Sequence, residues 1–312
     1  MDNGKLIRTS QKGGPIDYFS LALGAGIEGW QVIKAMTLSM NKDAYSKINL
    51  GKRVVYQAAP SLSMVQKKLC DKWIKPLPSG DSIAYEGYSV KDKIQAICGH
   101  EVLVTTDVVK FFDNIGYSLV KLVLDNFYEE EASKILSCIM TITSTSGRRF
   151  LPQGGVASPF LANRVAAVLI DPVVRACLPP GSTYLRYCDN LIIGCSEEDN
   201  PGAVLQGIRN AVGSTGFRLH KSMVRRKHQR QKALGLVLNQ EVNVPKKYVD
   251  SVRATLHNVA CSSWEEQAGT VPTELFRRRV LGKARYIMDH STTARSSRVR
   301  SLYEKLNKTP VS

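Results

Sequence analysis

The sequence predicts an α+β fold, and three observations carry that prediction. Residues 101–107 (Glu-Val-Leu-Val-Thr-Thr-Asp) form a run rich in β-branched side chains, the mark of a strand. Residues 184–188 and 191–194 are two further strand-like runs that flank Asp189 and Asn190. Aspartate and asparagine tolerate left-handed backbone angles, so this stretch reads as a tight β-hairpin with those two residues at its tip. Between and after these runs lie segments of helical periodicity, in no regular strand–helix alternation. That order argues against a doubly wound parallel sheet.

Taken from the start, the chain up to about residue 50 reads as mixed helix and loop, with a helix over 27–40. Residues 52–57 (Lys-Arg-Val-Val-Tyr-Gln) alternate like a strand that Pro60 ends, and 61–73 reads as an amphipathic helix with a basic face. After the 101–107 strand, 117–129 and 131–143 both carry helical periodicity. Residues 151–159 are a loop with two prolines and adjacent glycines, feeding a helix over 160–174 whose start Ser158 and Pro159 mark. A helix over 202–212 follows the hairpin, then short strands around 217–219 and 233–238. From about residue 246 the chain is helical and basic.

With 312 residues, 43% of them apolar, the chain is long enough for a substantial core and one to three subdomains. Its 43 Lys+Arg against 27 Asp+Glu give a formal charge of +16, which favours polyanionic partners. The excess gathers near Arg225, Arg226, Lys227 and Arg230, near Arg277, Arg278 and Arg279, and at the C-terminal end, as suits a surface that follows a nucleic-acid backbone. The seven cysteines are dispersed and odd in number, with no Cys-x-x-Cys pair, so neither a zinc site nor a disulfide framework is indicated. The N-terminus has no apolar signal region, and no apolar run approaches the length of a membrane span. A cytoplasmic protein without a membrane partner is expected.

Three local features bear chemistry. Asp107 ends an apolar strand, where a carboxylate can hold a hard cation at the rim of a sheet. Asp189 sits at a hairpin tip that two strands hold rigidly. Pro152-Gln153-Gly154-Gly155 lets backbone approach a ligand closely, and Gln153 offers both a donor and an acceptor. Two carboxylates converging from separate strands can bridge two Mg²⁺ ions about 4 Å apart, the arrangement for in-line phosphoryl transfer. Each feature alone has an ordinary structural reading: a strand-ending Asp, a polar turn, a glycine turn before a helix.

Together they resemble something specific. In order, the chain contains Arg53-Val-Val-Tyr-Gln57, Thr106-Asp107-Val-Val-Lys-Phe-Phe112, Leu151-Pro-Gln-Gly-Gly-Val-Ala-Ser-Pro159, Tyr187-Cys-Asp-Asn190, Gly216-Phe-Arg-Leu219 and Leu234-Gly-Leu-Val-Leu-Asn239. This series resembles the motifs of bacterial reverse transcriptases of the retron, group II intron and defence-associated kinds, over roughly residues 50–290. The resemblance implies a right-hand polymerase fold: an N-terminal region and fingers over 1–100, a palm over 101–240 that includes part of the fingers (about 116–150), and a helical basic thumb over 241–312. It implies RNA-directed DNA polymerase activity with two Mg²⁺ ions, Mn²⁺ being able to substitute. The metal ligands would be Asp107, Asp189 and the Val108 carbonyl, with Asn190 completing the catalytic turn. Lys52, Arg53, Phe112 and Gln153 would contact the nucleotide, and a ring at Phe112 would exclude a ribose 2′-hydroxyl. Leu234 and Gly235 would hold the primer, and Arg277 and Arg278 on the thumb the primer–template. Partners implied are an RNA template (a dedicated non-coding RNA), deoxynucleotides, the DNA product, and an effector protein or a second copy of the chain, in a retron-like antiphage defence system.

The chain also departs from the pattern. The catalytic turn reads Asp189-Asn190 where the family has two aspartates, which removes one negative charge. Lys93-Ile-Gln-Ala-Ile97 stands where retron enzymes carry Asn-Ala-x-x-His, and Ala233-Leu-Gly235 where they carry Val-Thr-Gly. The lysine expected after Gly216 is out of register at Lys221. Two alternatives follow: an RNA-binding scaffold that has kept the fold with weak or no catalysis, and a DNA polymerase that works without a template.

Overall fold

The computed structural model describes residues 18–51, 53–84 and 89–307. Helices α1 (Tyr18–Gly24) and α2 (Gly29–Met40) come first. Residues 45–50, expected as loop or helix, instead form β1 (Tyr45–Leu50), antiparallel to β2 (Arg53–Ala58). All of β1 after Tyr45 is exposed, so it lacks the apolar alternation by which a half-buried strand is recognised. Lys52 lies outside the described residues.

Helix α3 (Pro60–Leu69) starts on Pro60, whose missing N–H has no partner to lose at a first helical position, and runs into a π-helical turn, Cys70–Ile74. Next come α4 (Val90–Ile94), β3 (Val102–Val108), α5 (Phe111–Asn114), α6 (Tyr117–Leu124), α7 (Glu130–Met140) and the small ladder of β4 (Ile142–Thr143) with β5 (Arg149–Phe150). The single helix expected over 160–174 is two, α8 (Ser158–Leu169) and α9 (Asp171–Cys177), parted at Ile170 because Pro172 supplies no N–H to the ladder.

The chain then forms β6 (Thr183–Tyr187), β7 (Asn190–Cys195), α10 (Pro201–Ser214) and β8 (Leu219–Arg226). Strand β8 is eight residues long where only about three were expected, because its exposed lysine and arginines dilute the strand pattern. Residues 233–238, expected as one strand, are the hairpin of β9 (Lys232–Ala233) and β10 (Leu236–Val237). It turns on Leu234 and Gly235, both at positive φ (51° and 79°), which is the type I′ pattern. Helices α11 (Lys246–Cys261), α12 (Trp264–Ala268), α13 (Thr273–His290) and α14 (Thr293–Asn307) follow, as the basic helical reading of this region expects.

The centre is a four-stranded antiparallel sheet in the order β6-β7-β3-β8, so the fold is α+β as predicted. Side chains alternate faces along a strand. Val102, Val104, Leu191 and Ile193 point into one core with Leu161 and Val165 of α8 and Ile208 of α10. Leu103 and Ile192 point the other way, into a second core with Leu236, Val252, Leu256, Ala284 and Val299. Both faces are therefore covered, and chemistry is confined to the sheet's rim. All seven cysteines are free. Among the described residues no helix is long and apolar enough to cross a membrane.

Candidate active site

Asp107 lies at the rim, paired with Asn190 on β7 and His220 on β8. It shares a face of β3 with Leu103 and Thr105, and its side chain is 24% exposed. The β6–β7 hairpin turns on Cys188 and Asp189, with Tyr187 and Asn190 as the closing pair. The expected tip, Asp189-Asn190, is thus displaced by one residue. Cys188 has φ of 52° and is the only one of the two with positive φ, which fits a type II′ turn, whose first position glycine ordinarily fills. Asn190 is consequently a strand residue facing Asp107, and its Nδ2 donates to Asp189 Oδ1 at 3.0 Å.

The turn is joined to β3 through backbone, since the Val108 N–H donates to the Asp189 carbonyl at 2.9 Å. Burial raises the Asp189 carboxyl above its ordinary range and the neighbouring Asp107 charge adds to that, while Arg53 and the Asn190 amide act in the opposite direction. Asp107 and Asp189 are therefore near enough to repel. A hard divalent cation relieves such a pair, and the available donors (two carboxylates and backbone oxygens such as that of Val108) are the type Mg²⁺ takes. Among the described residues no cluster of three or more His, Cys, Asp or Glu offers a rival metal site.

Lys221 reaches this rim through an irregularity. Thr105 pairs with Met223 and Asp107 with His220, so Lys221 and Ser222 together oppose Thr106 alone. This is a β-bulge, with Lys221 at φ of 51°. The Thr106 hydroxyl closes the gap, donating to the His220 carbonyl at 3.1 Å and lying 2.9 Å from Ser222 Oγ. The extra residue places Lys221 Nζ 3.7 Å from Asp107 Oδ2.

The β1–β2 hairpin approaches from one side. Arg53 and Val55 share a face, and Val55 packs on the Gln153-Gly154 loop. A Cβ on Gly154 would lie 2.4 Å from Val55 Cγ1 and 3.0 Å from the Tyr56 carbonyl, and its φ is +93°, so only glycine fits. The Tyr56 N–H donates to the Gln153 carbonyl at 2.7 Å. The Gln153 side chain, half-buried, has no hydrogen-bond partner among the described residues.

Of the other expected residues, Phe112 is half-buried and edge-on to the buried Phe111, with ring centroids 5.6 Å apart. Leu234 packs partly buried in the same cluster as Tyr187, the residue before the β6–β7 turn. Gly235 completes the type I′ turn beside it. Arg277 lies over the Trp264 ring at 5.8 Å and donates to the Asn307 carbonyl at 3.3 Å, so it ties the C-terminal helices together, while Arg278 is exposed on the same helix.

Sequence reasoning missed the support beneath the turn. Arg186 is fully buried and bidentate to Asp171, with Nε to Oδ1 at 2.8 Å and Nη2 to Oδ2 at 2.9 Å. Its Nη1 donates to Asn163 Oδ1 at 3.0 Å and to the Cys188 carbonyl at 3.3 Å. The Tyr184 hydroxyl and the Asp81 N–H also donate to Asp171, at 2.8 and 3.1 Å. A single guanidinium therefore links the α8–α9 junction to the backbone of the turn that carries Asp189. Two charged residues either side of a proline break and a hairpin give no local pattern; the Arg placed three before Asp189 was the only available signal.

The family model described as "Reverse transcriptase (RNA-dependent DNA polymerase)" matches residues 46–238, more than half of the chain. The chain is 27% identical to the retron Mx162 reverse transcriptase of Myxococcus xanthus, over 66% of this chain and 50% of that one. It is 23% identical to the retron Ec48 and retron Ec86 reverse transcriptases of Escherichia coli, over 78% and 69% of this chain and 64% and 67% of theirs. The matches thus span about half to two thirds of these relatives' length. With the motif residues gathered at one rim of an antiparallel sheet and the match running from β1 to the β9–β10 hairpin, the chain belongs to the reverse transcriptase family.

Proposed function

We propose that this protein is an RNA-directed DNA polymerase that adds deoxynucleotides to a primer by phosphoryl transfer. The observation that carries the reading is the convergence of Asp107, at the end of β3, with Asp189, on a hairpin turn fixed from below. Bound divalent ions would supply charge neutralisation for the attacking 3′-hydroxyl and the leaving pyrophosphate. The chain's own contribution is positioning, which dominates phosphoryl-transfer catalysis. Asp107, Asp189 and the Val108 carbonyl would hold the ions, Arg53 (with Lys52) the triphosphate, and Gln153 the incoming nucleotide. Phe112 would sit under its sugar and select deoxynucleotides. Lys221, near Asp107 but open to solvent, is suited to donate a proton to the leaving group. In this reading the sheet is the palm, the β1–β2 hairpin belongs to the fingers, and α11–α14 form the thumb, with Leu234, Gly235 and Arg278 along the primer–template path. The relatives are retron reverse transcriptases by name, and with the motif resemblance the reading extends to a dedicated non-coding RNA as template and antiphage defence as the setting.

Asn190 favours a second reading, an RNA-binding scaffold with a weakened site, because it withdraws one charge where two cations would bind. Incorporation of labelled deoxynucleotides on an RNA template with Mg²⁺ separates the two. The polymerase reading expects synthesis that Asp107→Ala reduces by ~10³-fold or more and that Asn190→Asp sustains at lower Mg²⁺. Synthesis in none of the three, with RNA still bound, would leave the scaffold.

A further inference from the structure

We propose that the loop joining β8 to β9 is a second nucleic-acid contact, at the end of the sheet opposite the carboxylates, and that it grips the phosphate backbone of a double helix. Residues 225–230 are exposed without interruption, as is Lys232, and this stretch carries Arg225, Arg226, Lys227, Arg230 and Lys232. Arg226 is neutralised by Glu197 at 2.5 Å, and Lys227 acts on Glu101. Among the described residues Arg230 and Lys232 have no acidic partner, and the Arg225 guanidinium donates to the Met223 sulfur, at 3.8 Å.

A charge run is often a solvated face. This one differs because its backbone is fastened from inside. The Gln231 side chain, 1% exposed, donates to the carbonyls of His100, Glu101 and Arg225 at 3.1, 3.2 and 3.3 Å. Asn239 Nδ2 donates to the carbonyls of Lys227 and Gln229 at 3.1 and 2.7 Å, and its Oδ1 accepts the Gln231 N–H at 3.1 Å. Two amide side chains thus hold the loop in one shape with its cations outward, which lowers the ordering cost of binding a partner.

Its position suggests the ligand. Arg225 pairs with Leu103, which shares the Asp107 face of β3, and Arg226 pairs with Val102. The loop is therefore about five residues along the sheet from Asp107, roughly 17 Å at ~3.3 Å per residue. That is about five base pairs at ~3.4 Å each. A helix whose primer end lies at Asp107 and Asp189 and which follows the sheet's open edge at β8, where Lys221, Met223 and Arg225 are exposed, meets the loop after that length. A closed RNA stem bound separately offers the same phosphate chemistry.

The identity of the polyanion rests on the polymerase reading, so the test measures binding alone, in chelator and without nucleotides. Three labelled ligands are titrated over a salt series: primer–template duplexes of four and of twelve base pairs, and a twelve-base-pair RNA stem with no free 3′ end. The variant Lys227→Gln/Arg230→Gln/Lys232→Gln is compared with the parent and with Lys67→Gln/Lys72→Gln/Arg209→Gln, which removes equal charge elsewhere. The loop variant is expected to bind a twelve-base-pair ligand ~10-fold or more weakly and to lower the salt slope by about 2.7, at ~0.9 per phosphate contact. A loss confined to the long primer–template identifies the duplex at the active site, and a loss on the closed stem a separate RNA helix; either supports the contact. Unchanged binding to both long ligands, or an equal loss in the matched control, overturns it. Failure of the polymerase reading would show instead as absent incorporation with this binding intact.

Discussion

The β6–β7 turn, which carries Asp189, rests on buried polar groups, whereas the β1–β2 tip, which carries Arg53, stands in solvent. Beneath the turn, Arg186 and Asp171 are almost wholly buried and every connection is a hydrogen bond of 2.8–3.3 Å. At the tip, Leu50 is 61% exposed, and the hairpin is anchored further back, by the Tyr56 N–H to Gln153 bond, by Val55 on Gly154 and by buried Tyr45, whose hydroxyl accepts from Gln66 Nε2. The difference fits the roles proposed for the two residues. A metal-binding carboxylate must be held to fractions of an ångström, while a cation meeting a triphosphate tolerates displacement, because Coulomb attraction falls slowly with distance. The turn is held by satisfied buried charge, and the exposed arm by contacts further along its strands.

The largest effect should come from removing the turn's support. Asp171→Asn leaves Arg186 buried without its counter-charge, which costs about 3–5 kcal/mol, read as a lower midpoint in urea unfolding. A paired replacement sharpens the point. Arg186→Met with Asp171→Leu removes both charges and should regain much of the stability, yet incorporation should stay low, because the Arg186 hydrogen bond to the Cys188 carbonyl is lost. If the double variant recovers activity along with stability, the network serves the fold alone and the contrast between the two hairpins fails.

Legibility in the sequence followed the same division. The strand ending in Asp107, the hairpin bearing Asp189 and the glycine loop were all readable, since each is a local run with its own periodicity or turn residues. The exact tip was not, because Cys188 occupies a left-handed position that glycine or asparagine normally signals. Strand β1 escaped because both faces of its hairpin are largely exposed, so there is no apolar alternation to detect. The approach of Lys221 to Asp107 could not be read, because a bulge adds a residue without a sequence mark. The Arg186–Asp171 pair is formed by two residues fifteen apart, and only the folded chain brings them together.

A smaller effect should follow at the steric contact. Gly154→Ala adds a methyl 2.4 Å from Val55 Cγ1 at a φ of +93°, so the hairpin must move away from the loop. Overpacking of this kind costs about 1–3 kcal/mol. Because Arg53 lies on the displaced hairpin, the KM for deoxynucleotide should rise more than kcat falls. Steady-state kinetics on a fixed primer–template measure both, and a loss confined to kcat would mean that the loop acts on the carboxylates rather than through Arg53.

The smallest effect should be a gain. The Asp189 carboxyl is raised by burial and by Asp107, so without metal its ionised form is less favourable in the fold than in the unfolded chain. A carboxyl raised on folding contributes stability that is complete below its unfolded value, about 3.9, and lost as pH rises through the folded value. At neutral pH the charge therefore weighs against the fold. Asp189→Asn removes that charge, and its amide oxygen can still accept from Asn190. In chelator at pH 7 the variant should be more stable than the parent by ~0.5–1 kcal/mol, and the difference should shrink towards pH 3, below the unfolded value of about 3.9, where Asp189 is largely protonated in both states. Incorporation should nonetheless be lost. Thermal unfolding at the two pH values measures the gain directly. A variant less stable than the parent at neutral pH would mean that Arg53 and Asn190 already compensate the charge, and that the turn is not held under electrostatic strain.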